Sequence, residues 1–289
     1  DGRQLPGLVR PGRAVRRFRR VGSLSPGQKG DAMSATEFYN HLSEDYDRFV
    51  NWSARLAFEL PFFRALFAEH GAHDVLDVAC GTGHHAIALA REGYALTATD
   101  ISPAMVAQAQ ANAQAAGVDV RFHNLGFGEL AGGLGGARFD AVLCLGNSLP
   151  HVLTEDALHA ALRDFAAVLR PAGVLVVQNR NFDRVMRRRE RFMSPEEHRQ
   201  QDREWIFVRF YDFLSEDALQ FNMVRLQRGA DGVWVPQVEQ TRLRPWRYAE
   251  WEQQFQAAGL SLLGAYGSYK GEPFDAEESG DLILVARQG

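Results

Sequence analysis

Long apolar runs, cysteines and metal-ligand spacings are what this chain of 289 residues has least of. No stretch is apolar for long enough to span a bilayer, and no signal-peptide h-region stands out, so neither a membrane protein nor an exported one is expected. The two cysteines, Cys80 and Cys144, both lie in apolar, strand-like segments. They read as reduced, buried thiols rather than a disulfide framework, which points to the cytoplasm. His84, His85 and His151 match none of the usual zinc spacings, so no metal site is expected. His84 and His85 open a helix beside a glycine turn and are expected on its surface. The chain shows no internal repeat and no long linker.

What is present is the composition of an ordinary globular protein, 46% hydrophobic and 24% charged. Its charge is unevenly spread. Residues 1–32 hold eight of the 32 basic residues, among them Arg10, Arg13, Arg16, Arg17, Arg19 and Arg20, and two of the 36 acids. The remainder has 24 basic and 34 acidic residues, a net of −10. An Arg-, Gly- and Pro-rich segment of this kind buries too little apolar surface to offset its ordering entropy. Residues 1–32 are therefore expected to be a disordered basic extension, with Met33 as the start of the folded protein. The acidic body argues against a nucleic-acid binder.

From residue 36 the chain reads as helices, Thr36 to Phe49 and Trp52 to Glu69, with Pro61 a kink or boundary. Strand and helix then alternate. Apolar strands are expected at His73–Ala79, Tyr94–Thr99, Val118–His123, Phe139–Leu145 and Val174–Gln178. Between them, Ser102 caps a helix with Pro103 in its first turn and Gly117 after its end, and Thr154 caps another. Residues 125–138 read as a glycine-rich loop. Such alternation implies an α/β, doubly wound, mostly parallel sheet. Residues 181–245 change character: Arg203–Phe213 and Leu219–Arg228 alternate as an antiparallel pair. A helix over Trp246–Ala258 and strands at Leu260–Tyr266 and Asp281–Arg287 bring the expected sheet to seven strands. The division expected is a core over 33–180, a lid-like antiparallel insertion over 181–245 after the fifth strand, and the return to the core over 246–289.

The chemistry-bearing signal is Val75-Leu-Asp-Val-Ala-Cys-Gly-Thr-Gly-His-His-Ala86, where a strand turns into a helix. Gly81 and Gly83 permit a tight turn and close approach of backbone to a ligand. Asp100, at the end of the next strand, can accept both ribose hydroxyls of an adenosine ligand. The same glycines also fit the dinucleotide pattern G-x-G-x-x-A, so a nicotinamide dehydrogenase stands as an alternative. Tyr266-Gly-Ser-Tyr-Lys270 even has a Y-x-x-x-K spacing, though it follows a strand and contains glycine.

Asp77, Ala79, Gly81 and Gly83, then Asp100, then Phe139-Asp-Ala-Val-Leu-Cys-Leu145, then Val168-Leu-Arg-Pro-Ala-Gly173 resemble, in order and spacing, the motifs of class I S-adenosylmethionine-dependent methyltransferases. The resemblance implies a Rossmann-like fold and S-adenosylmethionine as cofactor. It places Asp77 near the amino-acid end of that cofactor, Asp100 on the ribose and Phe127 or Ile101 over the adenine, with Leu145 among the cofactor-binding residues. Gly126 stands where the family often has an acid, which leaves adenine recognition to backbone groups and Asn124. Within the class, Leu145-Gly-Asn-Ser-Leu-Pro-His151 and Asn179-Arg-Asn-Phe-Asp183 are most similar to glycine and sarcosine N-methyltransferases. That similarity implies that Arg55 clasps the cofactor carboxylate and that Tyr46 lies on a segment closing over it.

The acceptor end can also be read from the residues. Ligands of open α/β sheets bind outside the carboxyl ends of the strands. Asn147 follows the fourth strand and Arg180 the fifth, so both should face that crevice. Arg suits bidentate capture of a carboxylate, and Asn offers a donor and an acceptor. His151 can take a proton from an amine. Phe182 replaces a tyrosine of the glycine enzymes, and their later tyrosine segment reads here Thr241-Arg-Leu-Arg-Pro-Trp-Arg247. A small acceptor larger or more apolar than glycine, or another small acid, fits those changes. O-methylation of a small acid and a non-catalytic adenosylmethionine-binding module remain open.

Overall fold

The computed structural model describes residues 33–288, so the expectation about residues 1–32 lies outside the described residues. The chain opens with α1 (Ala35–Leu42), whose Ser34 and Glu37 form a reciprocal capping box, then α2 (Tyr46–Phe49) and α3 (Trp52–His70). Pro61 does not break α3; the helix runs unbroken past it to Gly71, which ends it at φ 62°. This corrects the expected boundary.

The alternating region follows as β1 (Asp74–Val78), α4 (His84–Arg91), β2 (Ala95–Asp100), α5 (Pro103–Ala116), β3 (Val120–Asn124), a one-turn α6 (Leu130–Gly133), β4 (Phe139–Cys144), α7 (Glu155–Val168) and β5 (Leu169–Arg180). The caps form as the residue types predict. Ser102 accepts from the Met105 amide at 3.1 Å and Thr154 from the Ala157 amide at 3.3 Å. The chain then runs through α8 (Phe182–Arg188), β6 (Glu196–Gln200), β7 (Arg203–Phe213), β8 (Leu219–Arg228), β9 (Trp234–Leu243), α9 (Tyr248–Ala257), β10 (Leu260–Tyr266) and β11 (Asp281–Gln288).

Seven strands form one sheet in the order β10-β11-β5-β4-β1-β2-β3. The first five strands of the chain pair in parallel, and β11 runs antiparallel to both β5 and β10. This is the doubly wound, mostly parallel sheet expected. Side chains alternate across it. Leu76, Val78, Val142 and Cys144 pack toward α7 and α9, while Val75, Ala141 and Leu143 pack toward α3 and α4. Both cysteines are buried and free.

The insertion is a separate four-stranded antiparallel sheet, β6-β7-β8-β9. It carries two strands beyond the expected pair. Phe38 and Leu42 of α1 and Phe49 of α2 pack on Trp205, Phe207 and Met223 of this sheet. Phe182, Val185 and Met186 of α8 pack on its Tyr211, Leu219 and Leu243. Among the described residues no helix is long and apolar enough to cross a membrane.

Candidate functional site

Chain order reverses between β1 and β4, the neighbours at the centre of the sheet. Crossover helices leave to opposite sides there, so a crevice opens above the carboxyl ends of the two strands. A cleft of about 960 Å³ occupies that position. Its floor is the turn from β1 to α4, where Ala79 (φ 56°) and Gly81 (φ 56°) both adopt left-handed backbone. The Cys80 amide donates to the Thr99 carbonyl at 2.9 Å and the Gly81 amide to Asp100 Oδ2 at 2.8 Å. Asp100 Oδ1 accepts from the Ser102 amide at 2.9 Å. A β2-end carboxylate thus fixes the glycine turn and still presents free lone pairs to the cleft.

Asp77, Ala79, Gly81, Asp100, Ile101, Gly126, Phe127, Leu145 and Arg55 all stand on the walls of this cleft. Gly83 does not. A Cβ there would come within 3.0 Å of Ala109 Cβ and 3.2 Å of the Phe122 ring. Its glycine lets α4 close on α5 and β3, and its left-handed backbone (φ 81°) completes the turn. Gly81 is needed for its left-handed backbone, and the Tyr46 ring packs over it at ordinary contact, 3.6 Å from where a Cβ would be. Asn124 anchors the next turn, donating to the carbonyls of Asp100 (2.8 Å) and Ile101 (2.9 Å), so its amide serves the backbone.

Two buried acids stand on the cleft wall. Burial, helped by the nearby Asp100, pushes the Asp77 carboxyl up to about 7. Among the described residues its Oδ2 has no hydrogen-bond partner. Burial raises Asp100 too, against its two backbone hydrogen bonds. Arg55 donates from Nε to Glu59 at 2.8 Å, and Glu59 also holds His85 Nε2 at 2.5 Å. His85 is therefore buried beside the cleft, not on the helix surface as expected. His84 stacks on Trp52 at 4.4 Å and meets Asp47 at 3.0 Å. Asp47 also takes hydrogen bonds from Thr82 (2.5 Å) and Asn112 (3.1 Å), so α2 is pinned over the turn, with Tyr46 as its cover.

A second compartment of about 990 Å³ lies between the ends of β4 and β5 and the antiparallel sheet. Tyr39, Tyr46, Arg55, Gly146 and His151 line both spaces and form the neck between them. Asn147 and Arg180 are on its walls, as the sequence implied. Asn147 has left-handed backbone (φ 66°), and its Oδ1 accepts from the Arg180 amide at 3.0 Å. Its carbonyl is therefore spent on placing Arg180, leaving the amide nitrogen for a ligand. The Arg180 guanidinium lies over the Tyr211 ring at 5.7 Å. His151 Nε2 pairs with the Tyr39 hydroxyl at 3.0 Å. Burial pushes His151 down to about 4, so it is neutral at pH 7 and a weak base.

Tyr39, Gln178, Arg209, Tyr211 and Asp281 also line this compartment and were not singled out from the sequence. Arg209 and Tyr211 are two apart on β7 and share a face. That period-two placement of polar groups was the signal available. Tyr266 ends β10, and Lys270 lies exposed beyond a turn, so the Y-x-x-x-K spacing does not lie on a helix.

Comparison with known proteins agrees with this geometry. Residues 75–173 match the family described as methyltransferase domain. A glycine/sarcosine N-methyltransferase of Parasynechococcus marenigrum is 38% identical over 165 residues, 55% of this chain and 58% of that protein. The glycine N-methyltransferase of Mus musculus is 33% identical over 171 residues, covering 56% of each. The chain thus spans little more than half the length of these curated relatives. Among solved structures, an S-adenosylmethionine-dependent methyltransferase from Clostridium acetobutylicum superimposes with TM-score 0.71 at 16% identity, over 87% of this chain and 99% of that one. An amino pentose methyltransferase from Micromonospora echinaspora, with S-adenosylmethionine bound, gives 0.66 at 24%, over 86% and 96%. These structural likenesses establish the shared fold.

Proposed function

We propose that this chain, which carries a class I S-adenosylmethionine-dependent methyltransferase domain, methylates the nitrogen of a small, amino-acid-like acceptor. The observation that carries the reading is the pair of compartments joined at one neck. A cleft with buried acids and a tight glycine turn opens into a space walled by Arg180 and Asn147.

The residues present fit the cofactor. The unpartnered Oδ2 of Asp77 is a buried acceptor on the cleft wall, suited to an ammonium group. Asp100 supplies acceptors for vicinal hydroxyls. Ile101 and Phe127 offer apolar surface for a ring, and Arg55, at the neck, can meet a carboxylate. When bound, S-adenosylmethionine supplies an electrophilic methyl group on a positively charged sulfur, open to direct in-line attack.

The chain's own residues then have to present a neutral amine and keep water out. Arg180 holds the acceptor carboxylate, and the Asn147 amide donates beside it. Tyr39 and His151 stand at the neck, where their polar atoms can orient the amine. The weak basicity of His151 limits it to positioning, so the amine reaches the neck deprotonated. The antiparallel sheet covers the compartment. Orientation and exclusion of bulk water supply most of the acceleration in this scheme.

Calorimetry of the full chain tests the cofactor. S-adenosylmethionine and S-adenosylhomocysteine should bind at micromolar concentration and NAD should not. NAD binding alone would overturn the reading, and binding with no transfer to any amine would reduce the chain to a binding module. Arg180→Ala should raise the acceptor KM about tenfold to a hundredfold with cofactor affinity retained. An unchanged KM would remove Arg180 from the acceptor site.

A further inference from the structure

The acceptor compartment presents a second guanidinium beside the one that a single carboxylate would meet. Besides Arg180 it holds Arg209, contributed by the antiparallel sheet. Neither guanidinium meets a carboxylate at hydrogen-bonding distance among the described residues. The nearest approaches are Glu190 to Arg180 at 4.0 Å and Glu196 to Arg209 at 3.6 Å. Glu190 is already committed to Arg184 at 3.0 Å. The compartment's own acids are engaged as well, Glu59 by Arg55 and His85, and Asp281 by Gln178 Nε2 at 3.0 Å. Among the described residues the buried Arg209 Nε has no partner, and the guanidinium lies over the Phe49 ring at 5.3 Å. Burial pulls the Arg209 cation below its ordinary range, against the attraction of Glu196 and with the repulsion of Arg180, so a second anion brought beside it would relieve part of that cost.

We infer that the acceptor carries two anionic groups, one held by Arg180 of the core sheet and the other by Arg209 of the antiparallel sheet. Its chemical class is an amine bearing a carboxylate and a second acid group, joined by a carbon segment that lies against Phe221, Met223 and Leu243. This rests on the acceptor compartment proposed above and narrows its substrate. A mono-acid such as glycine meets one guanidinium and leaves the other with only a distant glutamate, Glu190 or Glu196, as its counter-charge. A dianion also spans the compartment from the core sheet to the antiparallel sheet. Arg209 is thereby the residue that selects for the second charge.

The test uses the full chain, with and without saturating S-adenosylhomocysteine, titrated with succinate, glutarate and adipate. Each is compared with the monocarboxylate of the same carbon count. At least one dicarboxylate should bind about tenfold or more tightly than its mono-acid partner. Arg209→Gln should cut that advantage to within about twofold, and Arg209→Lys should keep part of it. Equal binding of every pair, or an advantage that survives in Arg209→Gln, would overturn the inference. Failure of S-adenosylhomocysteine to bind would instead overturn the proposed activity, and the dicarboxylate comparison without it would still be read on its own terms.

Discussion

The cofactor cleft takes most of its wall from the four turns at the ends of β1, β2, β3 and β4, with backbone amides, small residues and two buried carboxylates as its chemistry. The acceptor compartment takes Tyr39 from α1, Arg180 from β5, Arg209 and Tyr211 from β7 and Leu243 from β9, and its chemistry is guanidinium and phenol. The first is held by the strand ladder itself, because each turn is fixed by the register of two parallel strands. The second exists only while a separate sheet is docked on the core. The lesson is that the cofactor end is as stable as the fold, whereas the acceptor end depends on one docked surface.

That difference can be broken most severely at Arg225 of β8. Its buried guanidinium bonds Asp45, ahead of α2, and Glu239 of β9, at 3.2 Å for the latter. Arg225→Met leaves buried Glu239 without its cation and Asp45 with Arg48 alone, a change expected to cost about 3–5 kcal/mol. Amide exchange protection should fall over α1, α2 and β7–β9 and persist in β1, β4 and β5. Equal loss in both sheets would show that they unfold as one unit and would end the contrast.

A smaller effect is expected from Asp100→Ala. It removes two acceptors from the cleft and frees the Gly81 and Ser102 amides, so cofactor affinity should drop about tenfold to a hundredfold by calorimetry. Dicarboxylate binding in the neighbouring compartment should stay within about twofold. Unchanged cofactor affinity would remove Asp100 from the ribose site, and a parallel loss on the acceptor side would mean that the two spaces are not independent.

The same contrast governs what could be read in the sequence. The cleft was legible because its residues sit in unbroken motifs, each a strand end followed by a cap or a glycine. The acceptor compartment was half legible. Asn147 and Arg180 follow core strands and were found. Tyr39 and Arg209 reach the site through packing between elements some 170 residues apart, which no local pattern encodes. The missed strands share a cause. β6 is Glu-Glu-His-Arg-Gln, an edge strand with no apolar face, and β9 contains Pro236 and a run of exposed residues. His85 reads as helix surface because the partner that buries it, Glu59, comes from a different helix 26 residues earlier. Pro61 reads as a break because the sequence does not show how tightly α3 packs on the core; Leu60 and Phe63 flank it and are both buried.

Asp77 sharpens the comparison from inside the stable half. Its carboxyl is pushed up to about 7 from an ordinary 3.8. In the folded chain it is therefore protonated below about 7, while the unfolded chain ionises near 3.8. The stability gained from the neutral form is complete below the lower value and is lost as pH rises through the upper one. Asp77→Asn keeps a neutral side chain at every pH. It should be unchanged in stability near pH 4 and more stable than the parent by about 1–3 kcal/mol near pH 8, measured by denaturant titration. Cofactor binding should move the other way. A cationic ligand favours ionised Asp77, so the affinity of the parent should rise several-fold more steeply than that of the variant between about pH 6 and about pH 8. Using the variant as reference cancels titration of the ligand itself. Parallel profiles would mean that Asp77 only packs beneath the turn. Diverging profiles would mean that the cleft keeps an unfavourable charge site in its most rigid part, where only the cofactor makes the charge favourable.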